Sequence, residues 1–362
     1  MNFDLSDEQE QFRASVERFA GQIGSEERRT LRAAAGGYPR ERWKALAELG
    51  TIALAASESA GGLGGSTIDL AIVAEALGRA IAPDPWLENG VLPALLLAAP
   101  GAEAALEEVL AGESFVAVAF AERMQRFSLE PKAVTARRRG AGFALNGEKT
   151  FVLGGALADR FVVSAECEGS PGWFLVPADR EGVIRRDYTI ADSSVASELR
   201  FADVTVSAED RLSIDRERLA DVVGLVRLLT AAEMLGLAQR LFDETLTYVK
   251  QREQFGVAIG SFQALQHRLV ECYAALEQSR SMVYRIALLD RNDRAAWNRA
   301  AAGAKAYVAD QTDLVAREAV QMHGGMGITD ELVVGHAMKR ILLLARLFGD
   351  RDTALAEYAA AA

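Results

Sequence analysis

The feature that most constrains this chain is a long helical pattern, Val222 to Gly260, that closes on a glycine turn. It ends Gln251-Arg252-Glu253-Gln254-Phe255-Gly256-Val257-Ala258-Ile259-Gly260, and Ser261-Phe262-Gln263 follows. Gly256 and Gly260 are stop signals, and Ser261 is suited to cap a second helix. An arginine and an aromatic are thus offered where one helix ends and another begins. The planar guanidinium of Arg252 suits a bidentate grip on pyrophosphate, and Phe255 offers a face to a flat ring. A helical hairpin carrying a solvated arginine is the plainer alternative.

A second stretch of the same kind reads Gln321-Met322-His323-Gly324-Gly325-Met326-Gly327-Ile328-Thr329-Asp330-Glu331. A helical run from Ala300 to Met322 stops at the paired glycines, where left-handed backbone costs little. Consecutive N–H groups in such a turn can hold an anion, and Thr329 or Asp330 is placed to cap the next helix.

At 362 residues, half of them hydrophobic, the chain has material for two or three domains. A net charge of -11 and a pI near 5.0 argue against nucleic-acid binding. Cys167 and Cys272 are far apart and fit a reducing compartment, and His267, His323 and Glu233 form no zinc pattern. The acidic start lacks a signal peptide's basic and apolar regions, and no apolar run has membrane-spanning length. A soluble, cytoplasmic protein is expected, without metal, membrane or nucleic-acid partners.

From Ser6 to about Gly112 the pattern is helical, with runs at Glu8–Ala20, Arg40–Leu49, Ile68–Gly78, Leu92–Ala99 and Ala102–Ala111. Glu58-Ser59-Ala60-Gly61-Gly62-Leu63-Gly64-Gly65 reads as a flexible loop between helices, not a phosphate cradle, since no strand precedes it and no lysine follows. From Glu113 the composition shifts to short strands: Ser114–Ala121, Lys132–Arg137, Gly142–Leu145, Lys149–Leu153, Arg160–Ala165 and Trp173–Pro177. Asn146-Gly147 and Ser170-Pro171-Gly172 serve as turn signals, and helical periodicity returns after about Val206. The expected division is residues 1–112 helical, 113–207 β, and 208–362 helical, ending in an Ala-rich tail.

Taken together, the Arg252–Phe255 and Gln321–Gly325 stretches resemble the paired signatures of the acyl-CoA dehydrogenase family, flavoenzymes that desaturate acyl-CoA thioesters. Ala121-Glu122, Ala231-Ala232-Glu233 and Leu347-Phe348-Gly349-Asp350 extend the likeness over nearly the whole chain. They bring it nearest the small subunit of pimeloyl-CoA dehydrogenase and related two-component members. The resemblance implies a mainly α fold with a β insert: an N-terminal helical domain, a β-barrel-like middle domain and a C-terminal four-helix bundle. It implies FAD, an acyl-CoA substrate, an electron-transfer flavoprotein as acceptor, and a homo- or heterotetramer with another family subunit. Arg252, Phe255, Gln263, Gln321, Gly324 and Gly325 match residues that serve the adenine dinucleotide end, some of them across a subunit interface.

The reaction needs a base beside the α-carbon and donors for the thioester oxygen as enolate charge develops. At the family's glutamate position this chain has Phe348, and at the alternative position, before Arg227, it has Val226. Glu233 lies seven residues after Val226, about 10 Å along the same face of a helix rising about 1.5 Å per residue. It is therefore a candidate base, with a buried pair to an arginine of a neighbouring helix as the alternative. Asp350, displaced by two residues from the standard acid, is the second candidate, a surface acid being its alternative. Arg227 and Phe348 are expected to face substrate. The flavin-facing loop is altered to Ala121-Glu122-Arg123-Met124-Gln125-Arg126, and Phe151-Val152-Leu153 follows Asn146-Gly147-Glu148-Lys149. Phe151 can still cover the flavin ring, but Ala121 and Leu153 lack the hydroxyls that bond its edge. The sequence thus suggests an active dehydrogenase, a catalytically silent subunit that clasps cofactor, or a flavin monooxygenase or nitroalkane oxidase on the same fold.

Overall fold

A computed structural model describes residues 4–21, 23–33, 38–125 and 127–360. Of the segments read above, residues 1–3, Arg126, Ala361 and Ala362 lie outside them. The order of elements is a helical N-terminal domain, a central sheet and a C-terminal helical bundle. The N-terminal helices are α1 (Asp7–Ala20), α2 (Ser25–Ala33), α3 (Arg40–Glu48), α4 (Thr67–Arg79), α5 (Leu92–Leu97) and α6 (Glu103–Leu110). Sequence patterning missed α2. Ser6 caps α1 in a reciprocal box with Gln9, and Ser66 caps α4 in the same way with Asp69.

The sheet contains β1 (Val116–Ala119), β2 (Thr135–Arg139), β3 (Gly142–Leu153), β4 (Arg160–Cys167), β5 (Ser170–Pro177), β6 (Val183–Thr189), β7 (Val195–Val206) and β8 (Arg211–Leu212). Its order is β6-β7-β3-β2-β4-β5-β8, with β1 added parallel to β4. Two expected turns are not turns. Asn146-Gly147 lies inside the single strand β3 at a register shift, and the Asn146 side chain accepts a hydrogen bond from the Asp203 N–H at 2.9 Å. The β4–β5 turn falls at Glu168-Gly169 (φ 53° and 85°), two residues before the predicted Ser170-Pro171-Gly172. Paired positive φ values suit a two-residue hairpin.

The bundle begins with α7 (Arg216–Gln251), followed by the short hairpin β9 (Glu253–Gln254) and β10 (Val257–Ala258). Then come α8 (Gln263–Ala287), α9 (Arg294–His323), α10 (Val333–Leu344) and α11 (Arg351–Ala360). The helix predicted to run on to the glycine turn therefore stops at Gln251. Ser261 does not cap α8: its hydroxyl donates to the Ala258 carbonyl at 2.7 Å, and Phe262 holds the cap position. Nor do Thr329 and Asp330 cap α10, whose cap position is Leu332.

The chain forms two compact units. One comprises residues 1–30, 66–82 and 223–362, and the other residues 31–65 and 83–222. In the first, α4 crosses α7 with almost no space between their backbones. A Cβ on Gly78 would sit 2.2 Å from the Glu233 carbonyl oxygen, and one on Gly236 would sit 2.0 Å from that of Glu75. Each helix supplies a glycine where the other's backbone passes, which draws α4 into the bundle. In the second unit, Phe143, Phe161, Phe174 and Phe201 form the centre of the β core. Asn89 ties the helical part to the sheet by donating to the carbonyls of Val116 and Gly154. The glycine segment after Glu58 is closely packed there: a Cβ on Gly62 would lie 2.2 Å from the Ala56 carbonyl. No helix among the described residues is long and apolar enough to cross a membrane.

Candidate functional site

The first group of predicted residues gathers at one end of the bundle. Reversals between α7, α8 and α9 bring the end of α7, the start of α8 and the end of α9 together. A small core of Val249, Leu269 and Met322, with Tyr248, Ile259 and Leu265 against it, joins the three. The Tyr248 ring stacks on His323 with centroids 4.3 Å apart, while His323 Nδ1 bonds the Ala319 carbonyl at 2.8 Å. The Tyr248 carbonyl in turn accepts the Arg252 N–H at 2.8 Å. One stacked pair thus connects the arginine turn to the glycine turn, a link neither motif announces in the sequence.

On this platform Arg252, Gln263 and Gln321 are exposed, and their side chains form no hydrogen bond or ion pair with any described residue. Phe255 is 93% exposed at φ 56° and Gly256 follows at φ 80°, which makes the two-residue turn of the β9–β10 hairpin. A bulky side chain in that region is strained, yet the exposed ring covers nothing but the edge of Phe262, at 6.3 Å. Gly324 needs its glycine, since it ends α9 at φ 63°. Gly325 does not: its φ is not positive, and a Cβ there would meet nothing within 4 Å. That open approach, three unengaged polar side chains and the start of a 25-residue helix at Gln263 fit an anionic group with an attached flat ring.

The second group lies deeper in the same unit, and its charges are engaged. Arg227, 7% exposed, donates Nε to the Phe348 carbonyl at 2.9 Å and its terminal nitrogens to both Glu357 carboxylate oxygens. Phe348 is held at φ 56°, in a turn continued by Gly349 at φ 105°. Glu233, the first base candidate, is 8% exposed and gripped by Arg340 through two hydrogen bonds, at 2.7 and 3.2 Å. Asp350, the second, caps α11, accepting the Thr353 N–H at 3.0 Å and hydroxyl at 2.7 Å. Between these groups is Lys305, with no solvent exposure, which donates to Thr230 Oγ1 at 3.2 Å and to the Leu344 carbonyl. Burial and the neighbouring Arg227, opposed by Glu233, push its ammonium down to about 7. The sequence reading passed over Lys305, although a lysine inside Ala300-Ala301-Ala302-Gly303-Ala304-Lys305-Ala306 stands out in so apolar a run.

The third group belongs to the sheet-bearing unit. Phe151 is 37% exposed at φ 50°. Glu122 is inward: it takes the N–H groups of Lys132, Ala133 and Val134 and the Lys149 ammonium at 2.8 Å, and Lys149 also bonds Ser164 at 2.8 Å. Burial pushes the Glu122 carboxyl up, but Lys149 and the backbone donors outweigh it and hold it below the usual range. Burial lowers Lys149 to about 8 against the pull of Glu122. This buried pair ties the altered Ala121–Gln125 loop to β3. No cluster of three or more His, Cys, Asp or Glu that could hold a metal occurs among the described residues.

Comparison with known proteins gives this arrangement a context. Residues 6–112 match the model of the acyl-CoA dehydrogenase N-terminal domain, and residues 220–362 that of the C-terminal domain. The acyl-CoA dehydrogenase IpdE2 of Mycolicibacterium smegmatis is 31% identical over 95% of this chain and 96% of its own length. The caffeyl-CoA reductase-Etf complex subunit CarC of Acetobacterium woodii is 28% identical, covering 83% of each. In the ChsE4-ChsE5 complex from Mycobacterium tuberculosis, a chain 26% identical superposes with a TM-score of 0.89, covering 99% of this chain and 98% of that one.

Proposed function

This chain belongs to the acyl-CoA dehydrogenase family, and we propose that it serves as the cofactor-clasping subunit of an FAD-dependent acyl-CoA dehydrogenase. In this reading it assembles with a second family subunit that brings the catalytic base. The observation that carries it is a contrast within one unit. Arg252, Gln263 and Gln321 are unengaged at the dinucleotide end, whereas Glu233 and Asp350 are both committed to protein partners.

A general base must be free to move within hydrogen-bond reach of its proton. Glu233 spends both oxygens on Arg340, and Asp350 turns an oxygen to the first turn of α11. Phe348, at the position where the family carries its glutamate, can shape an acyl pocket but cannot take a proton. Bound FAD would accept the hydride from the β-carbon. This chain's own residues bind and orient: Arg252 as a charge-assisted donor to pyrophosphate, Gly324 and Gly325 as a side-chain-free approach, and Phe255 as a ring face. The relatives accord with an assembled enzyme, since ChsE4 and ChsE5 form a complex and CarC is a subunit of a reductase-Etf complex. An electron-transfer flavoprotein is accordingly the proposed acceptor.

The deciding experiment compares the chain expressed alone with the chain co-expressed with a family subunit that retains the glutamate. Weak yellow colour alone, and flavin and turnover gained together on co-expression, are expected. A homo-oligomer with stoichiometric FAD and full dehydrogenase turnover would overturn the proposal.

A further inference from the structure

Lys305 is a fully buried amine that the proposed chemistry does not use. It projects from α9 between α7 and α10, and its two acceptors are informative. One is the Leu344 carbonyl, at the last residue of α10, which also receives the Leu347 N–H at 3.2 Å. The other is Thr230 Oγ1, whose own proton goes to the Arg227 carbonyl at 2.8 Å. Arg227 then closes the loop by donating to the Phe348 carbonyl. Two basic side chains therefore hold the two ends of one turn, Lys305 at Leu344 and Arg227 at Phe348. Between those ends the chain leaves helical geometry and places Phe348 at φ 56°.

A helix C-terminus leaves carbonyls without intrahelical partners and carries partial negative charge, so an ammonium there is favourable. The Lys305 side chain supplies this from a different helix, which makes it a strut and not a local cap. A neutral amine keeps two N–H donors for the two acceptors, so the strut persists when the group loses its charge. The charged groups on the surrounding elements are Arg227 and Glu233 on α7, Arg340 on α10 and Glu357 on α11.

We propose that Lys305 is a positioning residue that sets the conformation of the Leu344–Phe348 turn and thereby the aim of the Phe348 side chain toward the acyl ligand. This rests on the proposed function for the ligand and for its place beside Phe348. The strut is tested separately, by hydrogen exchange on the full-length assembled protein. In Lys305→Met, which keeps the volume and removes the donors, the amides of residues 345–347 should exchange about tenfold faster. Amides in the middle of α9 and the flavin content should not change. Lys305→Gln, which retains an N–H donor, should restore part of the protection. If the Met variant does not fold, Thr230→Val serves instead: it leaves Nζ only the carbonyl, and about threefold faster exchange at the same amides is expected. Unchanged exchange at 345–347, or a uniform rise across the bundle, would overturn the strut.

The ligand side is read by titrating hexanoyl-CoA into the flavin-loaded protein and following the flavin absorbance. A midpoint raised at least about threefold in Lys305→Met, at equal flavin content, supports the aim of Phe348. An unshifted midpoint, or no response of the wild-type flavin, overturns that part while leaving the exchange result intact. Failure of the wild type to hold flavin at all counts against the cofactor assignment and not against the strut.

Discussion

The two ends of the bundle site differ in how their polar groups are satisfied. At the Arg252 end, three long polar side chains have no partner among the described residues, and an aromatic is exposed in a strained conformation. At the Phe348 end every charge is engaged: Arg227 with Glu357, Glu233 with Arg340, and Lys305 with two oxygens. Folding does not by itself explain exposed strain and unused donors, whereas it fully accounts for buried, mutually satisfied charges. The first end therefore reads as a surface waiting for a ligand, and the second as a framework. The lesson is that a carboxylate on the expected helix is a weak argument for catalysis until its partners are known.

The largest effect should come from breaking a pair at the framework end. Arg340→Met strands the buried Glu233 carboxylate and should cost about 3–5 kcal/mol in denaturant or thermal unfolding. Adding Glu233→Leu should recover most of that loss, because an apolar pair removes both desolvated charges. Were Glu233→Gln to fold normally and abolish flavin reduction by an acyl-CoA, the framework reading would fail and Glu233 would be the base.

At the other end, Arg252→Ala should leave unfolding within about 0.5 kcal/mol of wild type, because the side chain is exposed and unengaged. Its FAD affinity should nevertheless fall by about 1.5–3 kcal/mol, the worth of a charged hydrogen bond. Equal flavin content in variant and wild type would remove Arg252 from the cofactor site.

The pH dependence sharpens the framework side. Lys305 sits at about 7 in the folded protein and near 10.4 when unfolded, so between those values the unfolded chain holds the extra proton. Its contribution must therefore grow more favourable as pH rises through this window, by about 1.4 kcal/mol per pH unit, with the full penalty present below the folded value. The difference in stability between wild type and Lys305→Met, followed from about pH 6 to 9, should show that slope. A flat difference would mean that Lys305 keeps its proton on folding and that burial does not lower its pKa.

The smallest effect separates the two glycines. The Gly325→Ala methyl meets no atom of the described residues within 4 Å beyond its chain neighbours, and the variant should change stability by less than about 1 kcal/mol, in the favourable direction if anything. It should still lower flavin retention, because the added methyl enters the approach to the anion. Gly324→Ala should lose stability outright, about 1 kcal/mol, from its left-handed backbone. Identical behaviour of the two variants would erase the distinction between a glycine kept for the fold and one kept for a ligand.

How much of this was legible beforehand varies with the range of the interaction. The helix start at Ser6 was readable because its capping box lies within four residues. The turns misled where local signals competed with strand pairing. Asn146-Gly147 has hairpin composition, yet β7 continues to pair across it, and the strand absorbs the glycine as an irregularity. The motifs marked Arg252, Gln263 and Gln321 as candidates, but not the Tyr248–His323 stack that joins the arginine turn to the glycine turn, since nothing marks a tyrosine and a histidine seventy-five positions apart as partners.

The sequence by itself determined the order of helices, strands and helices, the two glycine-ended motifs and the absence of an acid at Phe348. These depend on residue type and near-neighbour spacing, which the chain states directly. Only the tertiary structure decided what the remaining charges do. Glu233 meets an arginine 107 positions away, Arg227 a glutamate 130 away and Lys305 a carbonyl 39 away. The same holds for the crossing that requires Gly78 and Gly236. Such partners are chosen by helix packing, where apolar burial sets the alignment and the charged groups must then find whatever lies within reach.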